Sequence, residues 1–236
     1  AHQLTGTDQS AFLIKVRFAG EKMERGRLLD LFIGGMRGNK SGSLIREIRR
    51  LQDHSDTKTV CLRPEEDTRS TPGFIESRNK DKKVIDNVPA IEFSGKHPEK
   101  IIRILAKIAA QGERVDALAV DEVQFCNPSF YSVCDSLLAR GLDLLLAGLE
   151  LDFKREPFGP TLLLQGLRDQ ATKIHWLYPI CEKCKNRHRP ARFPQRLING
   201  SPANYDSPQI LIEDSVTGVI YEMRCIVCHE LPGKPF

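Results

Sequence analysis

The sequence predicts an α/β protein whose mostly parallel sheet is flanked by helices and followed by a small metal-binding module. Three observations predict it. Short apolar runs alternate with helical stripes through the first three quarters of the chain, a glycine-rich lysine-serine loop joins the first run to the first stripe, and two C-x-x-C pairs close the sequence.

The first apolar run, Leu28 to Ile33, stops at Gly34-Gly35, after which Leu44, Ile45, Ile48 and Leu51 recur at helical spacing. This is strand, glycine loop, helix. A second strand is predicted over Lys58–Leu62, and residues 63–88, polar with glycine and proline and little periodicity, read as a long working loop. Pro98 opens a helix with Ile101, Ile102, Leu105, Ile108 and Ala109 on one stripe. Ala117–Val120 reads as a strand buried on both faces, 129–139 as a helix and Leu142–Ala147 as a further strand. After Ile174–Leu177 closely spaced prolines replace the helical pattern, so residues 27–178 are read as the main domain and 179–236 as the small one. Residues 1–26, with both charge signs and no apolar h-region, read as a loosely ordered tail or trimmed leader.

Composition narrows the field. A hydrophobic fraction of 40% and a charged fraction of 28% are ordinary for a globular chain of 236 residues. A net charge of +4 is too weak to argue for a nucleic-acid partner and fits a small anion equally well. No apolar run reaches the length of about 18 residues that a membrane span requires, so no membrane partner is expected. Seven cysteines, an odd number with two C-x-x-C pairs, point to metal in a reducing compartment, the cytoplasm, rather than to disulfides. Cys61, Cys126 and Cys134 lie in apolar surroundings and read as buried hydrophobes.

Gly34-Gly35-Met36-Arg37-Gly38-Asn39-Lys40-Ser41 stands in the strand-to-helix context of a phosphate-cradling loop, which gives the chain a P-loop NTPase-like character. Backbone N–H groups there surround a phosphate, the lysine reaches its oxygens and the serine hydroxyl ligates Mg²⁺. Asn39 replaces the glycine expected before the lysine; asparagine tolerates left-handed angles, yet its side chain takes space near the phosphates. An ordinary glycine-rich turn is the competing reading. Asp121-Glu122 emerges at a strand's carboxyl end, where open α/β sheets bind ligands. The aspartate suits Mg²⁺ and the glutamate suits proton abstraction, unless both simply cap a strand at the surface.

Cys181, Cys184, Cys225 and Cys228 supply four thiolates in the paired spacing of a tetrahedral knuckle. Structural zinc is the expected occupant, with iron left open by spacing alone. His188 and His229 are read as surface residues, His175 as a packed one, and the cations at Lys183, Lys185, Arg187, Arg189 and Arg192 as a solvated face of the module.

In this order the motifs resemble the type II thymidine kinases, a family with cytosolic cellular, bacterial and poxviral members. The most specific segments are Asp121-Glu122-Val123-Gln124-Phe125, Asp152-Phe153-x-x-Glu156-Pro157-Phe158-Gly159 and Tyr221-x-x-x-Cys225-x-x-Cys228, and the match runs from about Arg27 to Gly233. The resemblance implies transfer of the γ-phosphate of ATP to the 5′-hydroxyl of thymidine or deoxyuridine, with Mg²⁺ accompanying the ATP. Glu122 would be the general base, and Gly34, Lys40, Ser41, Asp67, Arg69, Asp121 and Gln124 would serve ATP and Mg²⁺. Phe153, Phe158, Tyr221 and the lasso stretch Ile212, Glu213, Asp214, Ser215 and Val216 would hold the nucleoside, and the small domain would be a zinc-binding lasso domain. Dimers or tetramers are implied as well. The chain departs from the family pattern at Arg37, usually aromatic, at Asn39, usually glycine, at Gly42, usually a hydroxyl residue, and at Arg78, commonly histidine; the lasso's usual double glycine is replaced near Val216-Thr217. The alternative implied by those departures is a catalytically weakened or inactive paralogue with a scaffold or subunit role.

Overall fold

Strand β1, Leu29–Gly34, is buried along its whole length because it runs inside a sheet covered on both faces. The structure, a computed structural model, describes residues 28–79, 81–167, 172–214 and 216–235; the proposed 1–26 tail lies outside them. β1 hydrogen-bonds in parallel to β7, Asp143–Leu149, on one side and to β8, Lys173–Leu177, on the other. With β2, Thr59–Pro64, β5, Ile91–Phe93, and β6, Ala117–Val120, they make a six-stranded sheet in the order β5-β2-β6-β7-β1-β8, parallel at every pairing. No helix among the described residues is long and apolar enough to cross a membrane.

Alternation along β1 splits the core. Leu29, Leu31 and Ile33 pack with helices α2, Lys100–Ala110, and α3, Phe130–Ala139, whereas Phe32 meets Leu44, Ile45 and Ile48 of α1, Lys40–Ser55. Cys61, Cys126 and Cys134 are buried, and burial pushes their thiols up, as inert core cysteines require. His175 is half-buried: it stacks on Phe32 with ring centroids 4.6 Å apart and lies 3.4 Å from the buried Asp30, with its remaining surface open to solvent.

The stretch expected to be a long loop contains an antiparallel hairpin, β3, Phe74–Arg78, and β4, Val84–Pro89. Only Ile75 and Val88 of the hairpin are buried apolar side chains, packed against α1, so period-2 alternation is too short to register. Asn79 stabilises its turn by accepting from the backbone N–H groups of Asp81 and Lys83, both at 3.0 Å.

Beyond β8 the chain forms a second, three-stranded antiparallel sheet, ordered β10-β9-β11, from β9, Phe193–Ile198, β10, Ser201–Pro202, and β11, Val219–Arg224. One cysteine pair follows β8 and the other follows β11. His229 contradicts its surface assignment: it is 5% exposed and wedged beneath the knuckle. Its Nε2 lies 3.1 Å from the carbonyl of Phe153 and 3.2 Å from that of Pro194, while Arg155 Nε donates to Nδ1 at 2.9 Å. Burial and the Arg155 charge pull its pKa down to about 4. Arg192 stays on the exposed face of the module, 45% exposed, while pairing at 2.8 Å with Glu150, a carboxylate only 1% exposed.

Candidate active site

The carboxyl ends of β1, β2, β6 and β7 converge on one edge of the sheet and deliver Glu122, the residues expected to serve ATP and Mg²⁺, and Phe153 and Phe158; the lasso residues and Tyr221 come from the small module. The phosphate loop leaves β1 at Gly34, whose backbone lies so close to β8 that an added Cβ would meet the Leu177 carbonyl oxygen at 2.1 Å. Gly34 thus serves packing and does not line the cavity that the loop encloses.

Arg37 and Asn39 both adopt left-handed angles, φ 59° and 61°, at a cost of about 1–2 kcal/mol for a residue with a β-carbon. Asn39 turns its side chain towards β3, where its Oδ1 accepts from Ser77 Oγ at 3.3 Å. That position exists only because residue 42 is glycine, since an added Cβ there would come within 2.2 Å of Asn39 Oδ1. The two departures fit one another.

Lys40 opens α1 almost fully buried, and its ammonium donates to the Gly35 carbonyl at 2.7 Å. Burial pulls its pKa down, against the charges of Glu122 and Asp121. Ser41 hydrogen-bonds the buried Asp121; burial, reinforced by Glu122, pushes Asp121 up to about 7. Lys40, Ser41 and Asp121 are therefore assembled as a unit. Glu122, in a left-handed turn at φ 51°, points into the same cavity, where Arg69 Nη2 lies 2.7 Å from its Oε1 and Gln124 Nε2 donates to its Oε2. The Glu122 charge, seconded by Asp67, holds Arg69 firmly protonated.

A second, aromatic cavity adjoins the first along a wall of Met36, Thr68, Arg69, Leu149, Ile212 and Glu213. Phe153, Phe158 and Tyr221 line it, with Phe158 edge-on to Phe125 at 5.8 Å. Gln124 and Asp67 belong to this cavity and not to the phosphate loop's. Gln124 Oε1 accepts from the Leu149 N–H at 2.9 Å, and Asp67 accepts from Arg69 and Ser70, so both act on the loops around Glu122. Of the lasso residues, Ile212 and Glu213 reach both cavities. Asp214 instead accepts from the N–H groups of Val216 and Thr217, Val216 is 92% exposed, and neither lines a cavity; Ser215 lies outside the described residues.

Sequence reasoning missed Arg196. Its guanidinium lies 3.8 Å from the centroid of the Phe153 ring and donates to Tyr221 Oη at 2.7 Å, to the Gln209 carbonyl at 2.7 Å and to the Pro208 carbonyl. One side chain thereby fixes an aromatic wall, the tyrosine and the backbone leading into the lasso. Its buried position in β9, between Gln195 and Leu197, is the one signal available, and it is visible only once the strand's partners are known.

The four Sγ atoms of Cys181, Cys184, Cys225 and Cys228 lie within 4.8 Å of one another, with Cys184 and Cys225 at 3.9 Å. A zinc ion with Zn–S bonds of about 2.3 Å needs sulfurs roughly 3.8 Å apart, so the donor set fits such an ion with slight closure. Burial resists ionisation of Cys181, but N–H groups of Cys184, Cys225 and Lys183 bring its pKa down to about 6, towards the thiolate that a metal requires.

Fold and site together define a phosphate-loop α/β protein with two adjoining ligand cavities and a four-cysteine knuckle. A family model described as thymidine kinase matches residues 27–229. A thymidine kinase of Coprothermobacter proteolyticus (strain ATCC 35245 / DSM 5265 / OCM 4 / BT) is 35% identical over 209 residues, covering 87% of this chain and 92% of that protein. The chain belongs to the thymidine kinase family.

Proposed function

We propose that the chain transfers the γ-phosphate of ATP to the 5′-hydroxyl of thymidine or deoxyuridine, with Glu122 as the general base. The observation that carries this reading is the position of Glu122, a carboxylate aimed into the phosphate-loop cavity beside the wall shared with the aromatic one. A nucleoside seated against Phe153 and Phe158 would present its sugar to that wall, and a triphosphate over the loop would approach from the other side. Glu122 takes the hydroxyl proton, and Arg69, paired with it, offsets the charge that gathers on the transferred group. Gln124 keeps the carboxylate turned to the junction. Lys40 and the loop N–H groups hold the phosphates, and Ser41 with Asp121 would hold Mg²⁺, which supplies charge neutralisation when bound with ATP. Zinc in the knuckle is assigned a structural part, because all four of its ligand positions are filled by cysteine.

The second reading, a weakened paralogue that serves as a scaffold or subunit, draws on the ion pairs that Arg37, which lines the loop cavity, makes with Glu182 and Glu213. Purified protein incubated with ATP, Mg²⁺ and thymidine separates the two. Thymidine monophosphate is expected from the wild type, and Glu122→Gln should lower kcat about 10²–10⁴-fold. No product, or an unchanged rate in the variant, sinks the kinase reading. The same reading carries a cytoplasmic role in deoxynucleotide salvage, a homo-oligomeric assembly, and residues 179–236 as a zinc-binding lasso domain.

A further inference from the structure

Arg37 and Lys82 have no counterpart in the phosphate-binding logic just described, yet both line the phosphate-loop cavity. They come from different elements, Arg37 from the loop after β1 and Lys82 from the turn between β3 and β4, and they meet on one anion. Glu213 Oε2 lies 3.2 Å from Lys82 Nζ, and Glu213 Oε1 lies 3.7 Å from Arg37 Nη2. The carboxylate, 18% exposed, thus stands in a cationic cavity with each oxygen turned to a different cation. Arg37 is held independently of it: Nη1 pairs with Glu182 Oε2 at 2.5 Å and Nη2 donates to the Tyr221 carbonyl at 3.2 Å, while Glu182 Oε1 accepts from the Met223 N–H at 2.7 Å. Removing Glu213 would leave Arg37 in place, tethered to the knuckle.

We propose that Glu213 is a built-in anion for the phosphate cavity, clasped by Arg37 and Lys82, and that a bound polyphosphate displaces it and releases the 212–214 stretch from the phosphate loop. The inference rests on the kinase reading for the identity of the anion. Arg37 and Lys82 are 42% and 66% exposed, and ion pairs so exposed are weak and screened, so an exchange of partners is easy. A triphosphate offers both cations more charge and more acceptor oxygens than one carboxylate does. Because 212 and 213 also line the aromatic cavity, occupation of one cavity is felt at the rim of the other. Arg37 and Glu213 are in this sense positioning residues.

Inorganic tripolyphosphate probes the clasp without any reaction. Its affinity, measured by calorimetry, should rise about 3–10-fold in Glu213→Gln, from which the competing charge is gone. Hydrogen exchange in 212–214, reported chiefly by the Asp214 amide that donates to the Val219 carbonyl at 3.0 Å, should quicken when tripolyphosphate binds the wild type and the clasp no longer steadies that bridge. In Glu213→Gln it should already be faster than in the wild type and unresponsive. Lys82→Met, a change at an exposed turn, should loosen the same amides while weakening tripolyphosphate binding. The proposal is overturned if the wild type does not bind tripolyphosphate, if Glu213→Gln binds it no more tightly, or if binding leaves 212–214 exchange unchanged. Failure to form thymidine monophosphate with these responses intact would remove the kinase reading and leave the clasp standing.

Discussion

At the rim of the phosphate-loop cavity, outside the buried Lys40 and Asp121, the chain works with exposed cations, where Arg37, Arg78 and Lys82 reach in from loops and a hairpin and pair with Glu182, Glu76 and Glu213. The adjoining aromatic cavity is held by buried groups, with Phe153 at 2% exposure and Arg196 at 1%, the hydrogen bonds of Arg196 tying Tyr221 of β11 to the 207–209 segment. The difference teaches where sequence change is tolerated. Phosphates are bound largely by backbone N–H groups, so side chains there can vary if they find room away from the anion. An aromatic cavity is made of side chains, and each of them is constrained by packing.

The contrast can be broken hardest at Arg196. Arg196→Met would keep most of the stacking bulk but strand the Gln209 and Pro208 carbonyls and leave the Tyr221 hydroxyl only its bond to the Leu211 carbonyl, at a cost of about 2–4 kcal/mol in urea unfolding. The KM for thymidine should rise at least about tenfold with a smaller change for ATP. A variant within about 0.5 kcal/mol of wild type and unchanged in KM would mean that the cavity is not organised by this residue.

A smaller effect is expected on the other side of the wall. In Gly42→Ser the new β-carbon would force the Asn39 amide out of its place beside Ser77 and into the space of the phosphates. The KM for ATP should then rise about 5–10-fold, with little change for thymidine and a stability loss of about 1 kcal/mol or less. Adding Asn39→Gly should restore it, and additive effects in the double-mutant cycle would contradict the steric link.

The smallest effect is a pH slope. Asp121 has a folded pKa raised to about 7 from an ordinary value of 3.8, so the folded state holds its proton more tightly than the unfolded chain does. Its stabilising contribution is complete below about pH 4 and is lost as pH rises through about 7. Between pH 6 and 8 the wild type should lose about 1 kcal/mol that Asp121→Asn does not, read as a widening gap in urea midpoints. A constant gap would place the Asp121 pKa well below neutrality.

Where the sequence was legible, the signal was strong periodicity or fixed spacing. The run Leu29–Ile33, the α1 stripe of Leu44, Ile45, Ile48 and Leu51, and the two C-x-x-C pairs each announce one structure and little else. The hairpin β3–β4 stayed hidden because only Ile75 and Val88 bury apolar side chains in it. Arg196 and His229 were hidden for a different reason: their partners are mostly carbonyls and rings from distant segments, which no local pattern encodes. Gln124 and Asp67, read as serving ATP and Mg²⁺, line the aromatic cavity, a placement that depends on the path of their loops and that no local pattern encodes.

The fit between Asn39 and Gly42 also makes the two positions conditional on one another. With a side chain at 42, an asparagine at 39 would find its place beside Ser77 obstructed and would project into the phosphate-loop cavity. Glycine at 42 opens a berth for that amide, and while asparagine occupies it a side chain cannot enter at 42 without displacing it, so the two positions work like a lock with a single order of opening.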